Sequence, residues 1–170
     1  MLSRPQAGEF PVHFQPYIAL VPDGDIVHVL KEQIEQVYER LASVTEEQGL
    51  YRYAEGKWSL KEVLGHMTDT ERIMSYRLLR IARGDVTPLP SFEEQLFVSN
   101  ANFDRFTMKE LLEDFNAVRA ATLSLIRGLD ETAWQRMGHY GGGEGSARSL
   151  GYIVAGHAIH HLNIIAERYL

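Results

Sequence analysis

GHAIHHLNIIAERYL, residues 156–170, decides how this chain is read. Continued back to Leu150, its core-facing rhythm runs Leu150, Val154, His157, His161 and Ile164, with spacings of four and three. That is the seam of an amphipathic helix facing a bundle. Two consecutive seam positions carry imidazoles where leucine or isoleucine belongs. Burying two neutral histidines one turn apart is costly unless something pairs with them. A metal ion suits side chains at i and i+4, which share one helix face. Helix-end or pH-sensitive contacts are the other reading of such a pair. His160, about 60° from His157 around the helix, reads as a supporting group, an alternative ligand, or a residue facing solvent.

Working outward, Ser146 is the expected cap of this last helix, and GHYGGGEGSAR before it reads as a mobile surface loop. The Gly-rich run at residues 141–145 has neither P-loop nor dinucleotide-fingerprint spacing, and no strand is expected before it. Thr107 with Glu110 forms a capping box that opens a third helix through Leu111, Phe115, Val118, Thr122 and Leu125. A short turn over residues 130–136 follows it. Ser59 with Glu62 forms another capping box, opening a second helix with a wide apolar stripe that Gly84 ends. His66 lies on the edge of that stripe. The first helix is expected after Asp23 or Asp25, with the seam Val27, Leu30, Ile34, Val37, Leu41 and Val44, and with Gly49 as its end. Residues 84–106 form the longest connection, either a crossover or a segment covering a site, with a short helix expected over residues 91–98. Pro5, Pro11, Pro16 and Pro22 forbid a regular helix in residues 1–24, read as an extended arm packed on the bundle through its aromatics. The fold class is therefore all-α: one domain over residues 1–170, a four-helix bundle.

The 170 residues are enough for a single core without a metal or disulfide to hold it. A formal charge of −6 with scattered basic residues argues against nucleic acid as the partner. There are no cysteines, so thiolate ligands and catalytic thiols are excluded, and any thiol must come from a second substrate. No apolar run suggests a membrane span or signal peptide, and the expected location is cytoplasmic.

Seven histidines are present, and His13, His28 and His139 read as ordinary surface or core residues. Residues 158 and 159 are Ala and Ile, so the HExxH of a zincin is missing. ExxH pairs for a di-iron bundle and a GxSxG elbow are missing too. What remains is an all-histidine site for one ion.

KWSLKEVLGHMTDTERIMSYRLLRIARGDVTPLP together with SLGYIVAGHAIHHLNIIAERYL resembles the DinB-like (YfiT/DinB) superfamily, and the likeness extends over nearly the whole chain. The resemblance implies an up-up-down-down bundle, often a homodimer, holding a divalent metal ion on three histidines. Those family positions fall on His66, His157 and His161. Zn, Ni and Fe all suit such a set. It also implies a small-molecule substrate and a metal-dependent enzyme: a thiol S-transferase using an external low-molecular-weight thiol, or a hydrolase. The alternative is a non-catalytic, stress-associated metal-binding bundle.

Asp69, one turn beyond His66, reads as an acceptor behind a ligand, a proton shuttle, or a plain surface charge. Glu71, Arg77 and Arg80 carry the same ambiguity. Trp58 and Tyr152 read as packing residues.

Overall fold

The computed structural model describes residues 2–170; residue 1, the first of the expected arm, lies outside the described residues. Four long helices make the body: α2 (Ile26–Leu41), α4 (Leu60–Ala82), α6 (Met108–Arg127) and α8 (Ala147–Arg168). Short helices join them: α1 (Gln15–Leu20), α3 (Glu46–Gly49), α5 (Glu94–Ala101) and α7 (Glu131–Gln135). Each long helix starts where a side chain takes an orphan backbone N–H. Asp25 accepts from Val27, Ser59 from Glu62, Thr107 from Glu110 and Ser146 from Ser149. Both expected capping boxes are formed.

Two apolar clusters fix the topology. One takes the start of α2, the ends of α4 and α6 and the start of α8, with Leu30, Leu78, Ile126 and Leu150 at its centre. The other takes the opposite ends, through Leu41, Leu64, Phe115 and Leu162. Helices α2 and α8 therefore run one way and α4 and α6 the other. In chain order the bundle is up-down-down-up, which corrects the up-up-down-down expectation. Each of α2 and α4 packs against both α6 and α8, so the first two long helices lie on a diagonal. The cause is the 83–107 connection, which crosses from one end of the bundle to the other. It also places α5 against α4.

Four other expectations need correction. The N-terminal arm is not wholly extended: residues 12–14 make a 3-10 turn and α1 follows it. Pro16 sits in the first turn of α1, where a missing N–H costs nothing. Helix α2 ends at Leu41, short of Val44 and Gly49, because Thr45 and Gln48 form a capping box and start α3 afresh. The short helix of the crossover is Glu94–Ala101, three residues later than expected at each end.

The Gly-rich stretch is not a plain loop. Strands β1 (Met137–Tyr140) and β2 (Gly143–Ser146) pair antiparallel. Gly141 and Gly142, at φ +58° and +85°, form the two-residue turn between them. A turn with both central residues at positive φ matches the twist of a hairpin, and glycine adopts it without strain. The Tyr140 hydroxyl shares a 2.6 Å hydrogen bond with Ser149 Oγ, fastening the hairpin to α8.

A buried polar layer separates the two clusters. Arg119, fully buried, donates to both Glu71 carboxylate oxygens, to the Leu30 carbonyl and to Gln33 Oε1. Gln33 Nε2 in turn donates to the Ala155 carbonyl at 2.8 Å. One arginine thus ties α2, α4, α6 and α8 together.

Candidate metal centre

His66 lies in the second turn of α4, and His157 and His161 lie in the middle of α8, all three buried. A glycine precedes His66 and another precedes His157. A Cβ on Gly65 would stand 2.4 Å from the Phe103 ring, and one on Gly156 would stand 2.0 Å from the Tyr17 carbonyl oxygen. These two glycines let Phe103 of the crossover pack on α4 and α1 pack on α8, each beside a histidine of the cluster. Gly156→Ala must push α1 off α8 or bend α8. The expected loss is about 1–3 kcal/mol of stability, read as a lower urea midpoint at unchanged slope; an unchanged midpoint would contradict the close approach.

The Nε2 atoms of His66 and His157 are 3.1 Å apart, as are those of His157 and His161. One ligand nitrogen from each ring lies within 4.8 Å of the others. An imidazole nitrogen carries either one proton or one lone pair. His157 Nε2 therefore cannot satisfy two neighbours at 3.1 Å by hydrogen bonding. Protonation offers no way out. Burial, with the nearby imidazoles adding to it, pushes His66 down to about 4 and His161 to about 2, and holds His157 well below its usual range. Three neutral lone pairs converge. Two nitrogens at ~2.0–2.1 Å from a tetrahedral ion stand roughly 3.3 Å apart, so the donor set fits a divalent cation. His161 Nδ1 is buried with no hydrogen-bond partner.

The same shifts give a pH prediction for the metal-free protein. Its folded state holds these histidines neutral, whereas the unfolded chain protonates them near pH 6.5. Stability is therefore complete above pH 6.5 and falls as pH drops below it, because only the unfolded state gains protons there. Urea midpoints measured between pH 7.5 and 5, above the carboxylate range, should decline with acid. A flat profile would mean that the rings are not held neutral.

Aromatic side chains wall the cluster. The Trp58 ring is 4.7 Å from His66, and its Nε1–H donates to Gln95 Oε1 at 3.1 Å. The Tyr17 ring stands edge-on to His157 at 5.5 Å and to His160 at 5.3 Å. A cleft of about 270 Å³ opens on His161, with Tyr53, Lys57, Trp58, Gln95 and Tyr169 among its lining residues. Trp58, read from sequence as packing, thus also lines the way in, whereas Tyr152 packs against the N-terminal segment through Leu2 and Arg4.

The remaining expected residues fall elsewhere. His160 is half-buried and stays outside the three-histidine group. Asp69, read as an acceptor behind a ligand, a proton shuttle or a surface charge, accepts from Arg72 at 3.0 Å and makes no hydrogen bond to the histidines among the described residues. Glu71 is buried with Arg119, not facing solvent. Arg77 is buried, and Arg80 pairs with Asp85. His28 and His139 pair with Glu32 and Glu144 at the surface. Sequence reasoning missed Tyr17 and Gln95 as neighbours of the site. The aromatic spacing of the first segment was a signal for Tyr17, and nothing marked Gln95.

Comparison with known proteins agrees with this architecture. The family model described as the DinB superfamily matches residues 30–165. A protein of Oceanobacillus iheyensis named "putative metal-dependent hydrolase" is 29% identical over 143 residues, covering 80% of this chain and 81% of the relative. YfiT from Bacillus subtilis, titled "a probable metal-dependent hydrolase with an unusual four-helix bundle topology", superposes with a TM-score of 0.74 at 17% identity, covering 97% of this chain and 90% of that one. A mycothiol-dependent maleylpyruvate isomerase superposes with a TM-score of 0.69 at 13% identity, covering 89% of this chain and 62% of that one. At these identities the two structures speak for the fold. The family model carries the assignment: the chain belongs to the DinB superfamily.

Proposed function

We propose that this chain is a metal-dependent enzyme in which His66, His157 and His161 hold one divalent ion facing a small-molecule cleft. The observation that carries the reading is the convergence of three buried, neutral imidazole nitrogens whose contacts hydrogen bonding cannot satisfy. No fourth His, Cys, Asp or Glu joins the group among the described residues. A structural site is closed by four protein ligands, whereas a catalytic site keeps a position open. That difference favours chemistry over the purely structural, stress-associated module.

A divalent ion bound there supplies Lewis-acid charge that lowers the pKa of a water or a thiol and polarises a carbonyl. The chain supplies the rest. Trp58 and Tyr17 hold the imidazole planes from two sides, Gly65 and Gly156 close the walls, and the cleft beside His161 admits the substrate. With no cysteine in the sequence, thiol chemistry requires an external low-molecular-weight thiol, and the names of the relatives include both hydrolase and thiol-dependent isomerase.

The test has two parts. Cobalt-substituted protein titrated with azide should change its visible spectrum, as an open position requires. Turnover of ester and electrophile panels, with and without added thiols, then separates hydrolysis from thiol transfer. A cobalt spectrum indifferent to azide, with no turnover in any panel, would favour the structural module.

A further inference from the structure

Among the described residues four charged side chains are buried: Lys61, Glu71, Arg77 and Arg119. Lys61 pairs with Glu46, and Arg119 pairs with Glu71. Arg77, only 3% exposed, has no carboxylate partner among the described residues. Its Nη2 donates to the Pro90 carbonyl, and its Nη1 reaches only the Met74 sulfur at 3.6 Å. A guanidinium has five N–H donors, so most of this one lacks a strong acceptor. Burying a cation without a counter-charge is among the costlier arrangements in a fold. Arg119, in the same bundle, shows how such a charge is fully met.

Arg77 also borders a space. A cleft of about 180 Å³ is lined by its side chain together with Phe14, Tyr17, Met74, Ser91 and Phe92. His13, Gly141 of the hairpin turn, and the exposed Glu94 complete the lining. The Phe92 ring lies 5.8 Å from the guanidinium carbon, and Phe14 stacks near Tyr17 at 6.5 Å. The surroundings thus combine a buried fork of donors with aromatic walls. A carboxylate matches that fork with two parallel hydrogen bonds, and the aromatic walls match an apolar body attached to it.

We propose that the cleft between α1, α4 and the crossover is a binding site for a small organic carboxylate, whose anionic head pairs with Arg77 and whose apolar body lies among Phe14, Tyr17 and Phe92. The site stands apart from the histidine cluster and does not depend on the metal reading. Tyr17 is the wall they share, because its ring also meets His157.

The test is an NMR titration of the ¹⁵N-labelled protein, as purified and again after chelation, with benzoate, neutral benzamide and inorganic phosphate. Benzoate is expected to bind at least about tenfold tighter than benzamide, the low end for hydrogen bonds to a charged group. Shift changes should centre on Tyr17, Ser91 and Gly141. Arg77→Met should abolish the preference for benzoate, and Arg77→Lys, which keeps the charge without the fork, should reduce it. If Arg77→Met does not fold, the Lys variant decides: an undiminished preference overturns the proposal. Equal binding of benzoate and benzamide, phosphate binding tighter than benzoate, or shifts centred on Trp58 and Lys57 would each overturn it as well. An Arg77→Met protein that is less stable yet keeps the benzoate preference would assign Arg77 to holding the Pro90 segment alone.

Discussion

His157→Ala is expected to abolish high-affinity metal binding and, with it, catalytic turnover. His157 is the central member of the cluster, since its Nε2 stands 3.1 Å from the Nε2 of each of the other two rings. Removing it leaves two nitrogens on different helices. Loss of a residue that merely supports a ligand lowers metal affinity by about 10–100-fold, and loss of the central ligand should exceed that. Folding should survive, because the bundle's apolar clusters lie to either side and the alanine removes a buried polar ring. Calorimetric titration with zinc and nickel, alongside circular dichroism, separates the two effects. An affinity within tenfold of the wild type, in a folded variant, would show that the ion is held elsewhere.

Arg119→Met is expected to give the largest loss of stability of any single change away from the histidines. It strips the partner from Glu71, a carboxylate only 4% exposed, and removes donors from the Leu30 carbonyl and Gln33 Oε1. Breaking a buried pair from one side costs about 3–5 kcal/mol, because the remaining charge has no compensation. For a chain of this size that lowers the melting temperature on the order of 10 °C. The double variant Arg119→Met, Glu71→Leu should recover at least half of the loss, since replacing both partners with apolar groups removes the stranded charge. Melting curves of the two single variants and the double variant decide it. A double variant no more stable than Arg119→Met would mean that the arginine acts through packing rather than charge.

Much of this architecture was legible in the sequence where local chemistry is self-announcing. Ser59 with Glu62 and Thr107 with Glu110 gave helix starts that the structure keeps. The spacing of His157 and His161 marked an anomaly in an apolar seam, and the structure brings both to His66 across the bundle. What stayed hidden depends on contacts distant in sequence. The edge position of His66 on its own helix concealed that the Trp58 ring and the two α8 histidines cover it, while its neighbour Gly65 admits the Phe103 ring. Glu71 and Arg119 each look like ordinary helix charges until four helices meet around them. Gly141 and Gly142 look like loop residues in the sequence because strands of four residues, with glycine at 138, 143 and 145, show no alternation. Pro16 misled for the opposite reason: proline is harmless in the first turn of a helix, and density alone does not reveal that position. The direction of each helix is set by where residues 83–107 cross, and no periodicity encodes that.

The central claim is that three imidazoles on α4 and α8 hold one divalent ion. Its most direct test is elemental analysis of protein purified without a metal-affinity column and dialysed free of loose ions. The claim predicts about one divalent ion per chain in the wild type and essentially none in His66→Ala, a variant whose changed residue lies on the other helix from His157. Metal-free wild type that takes up no ion on reconstitution, or full occupancy in His66→Ala, would contradict it.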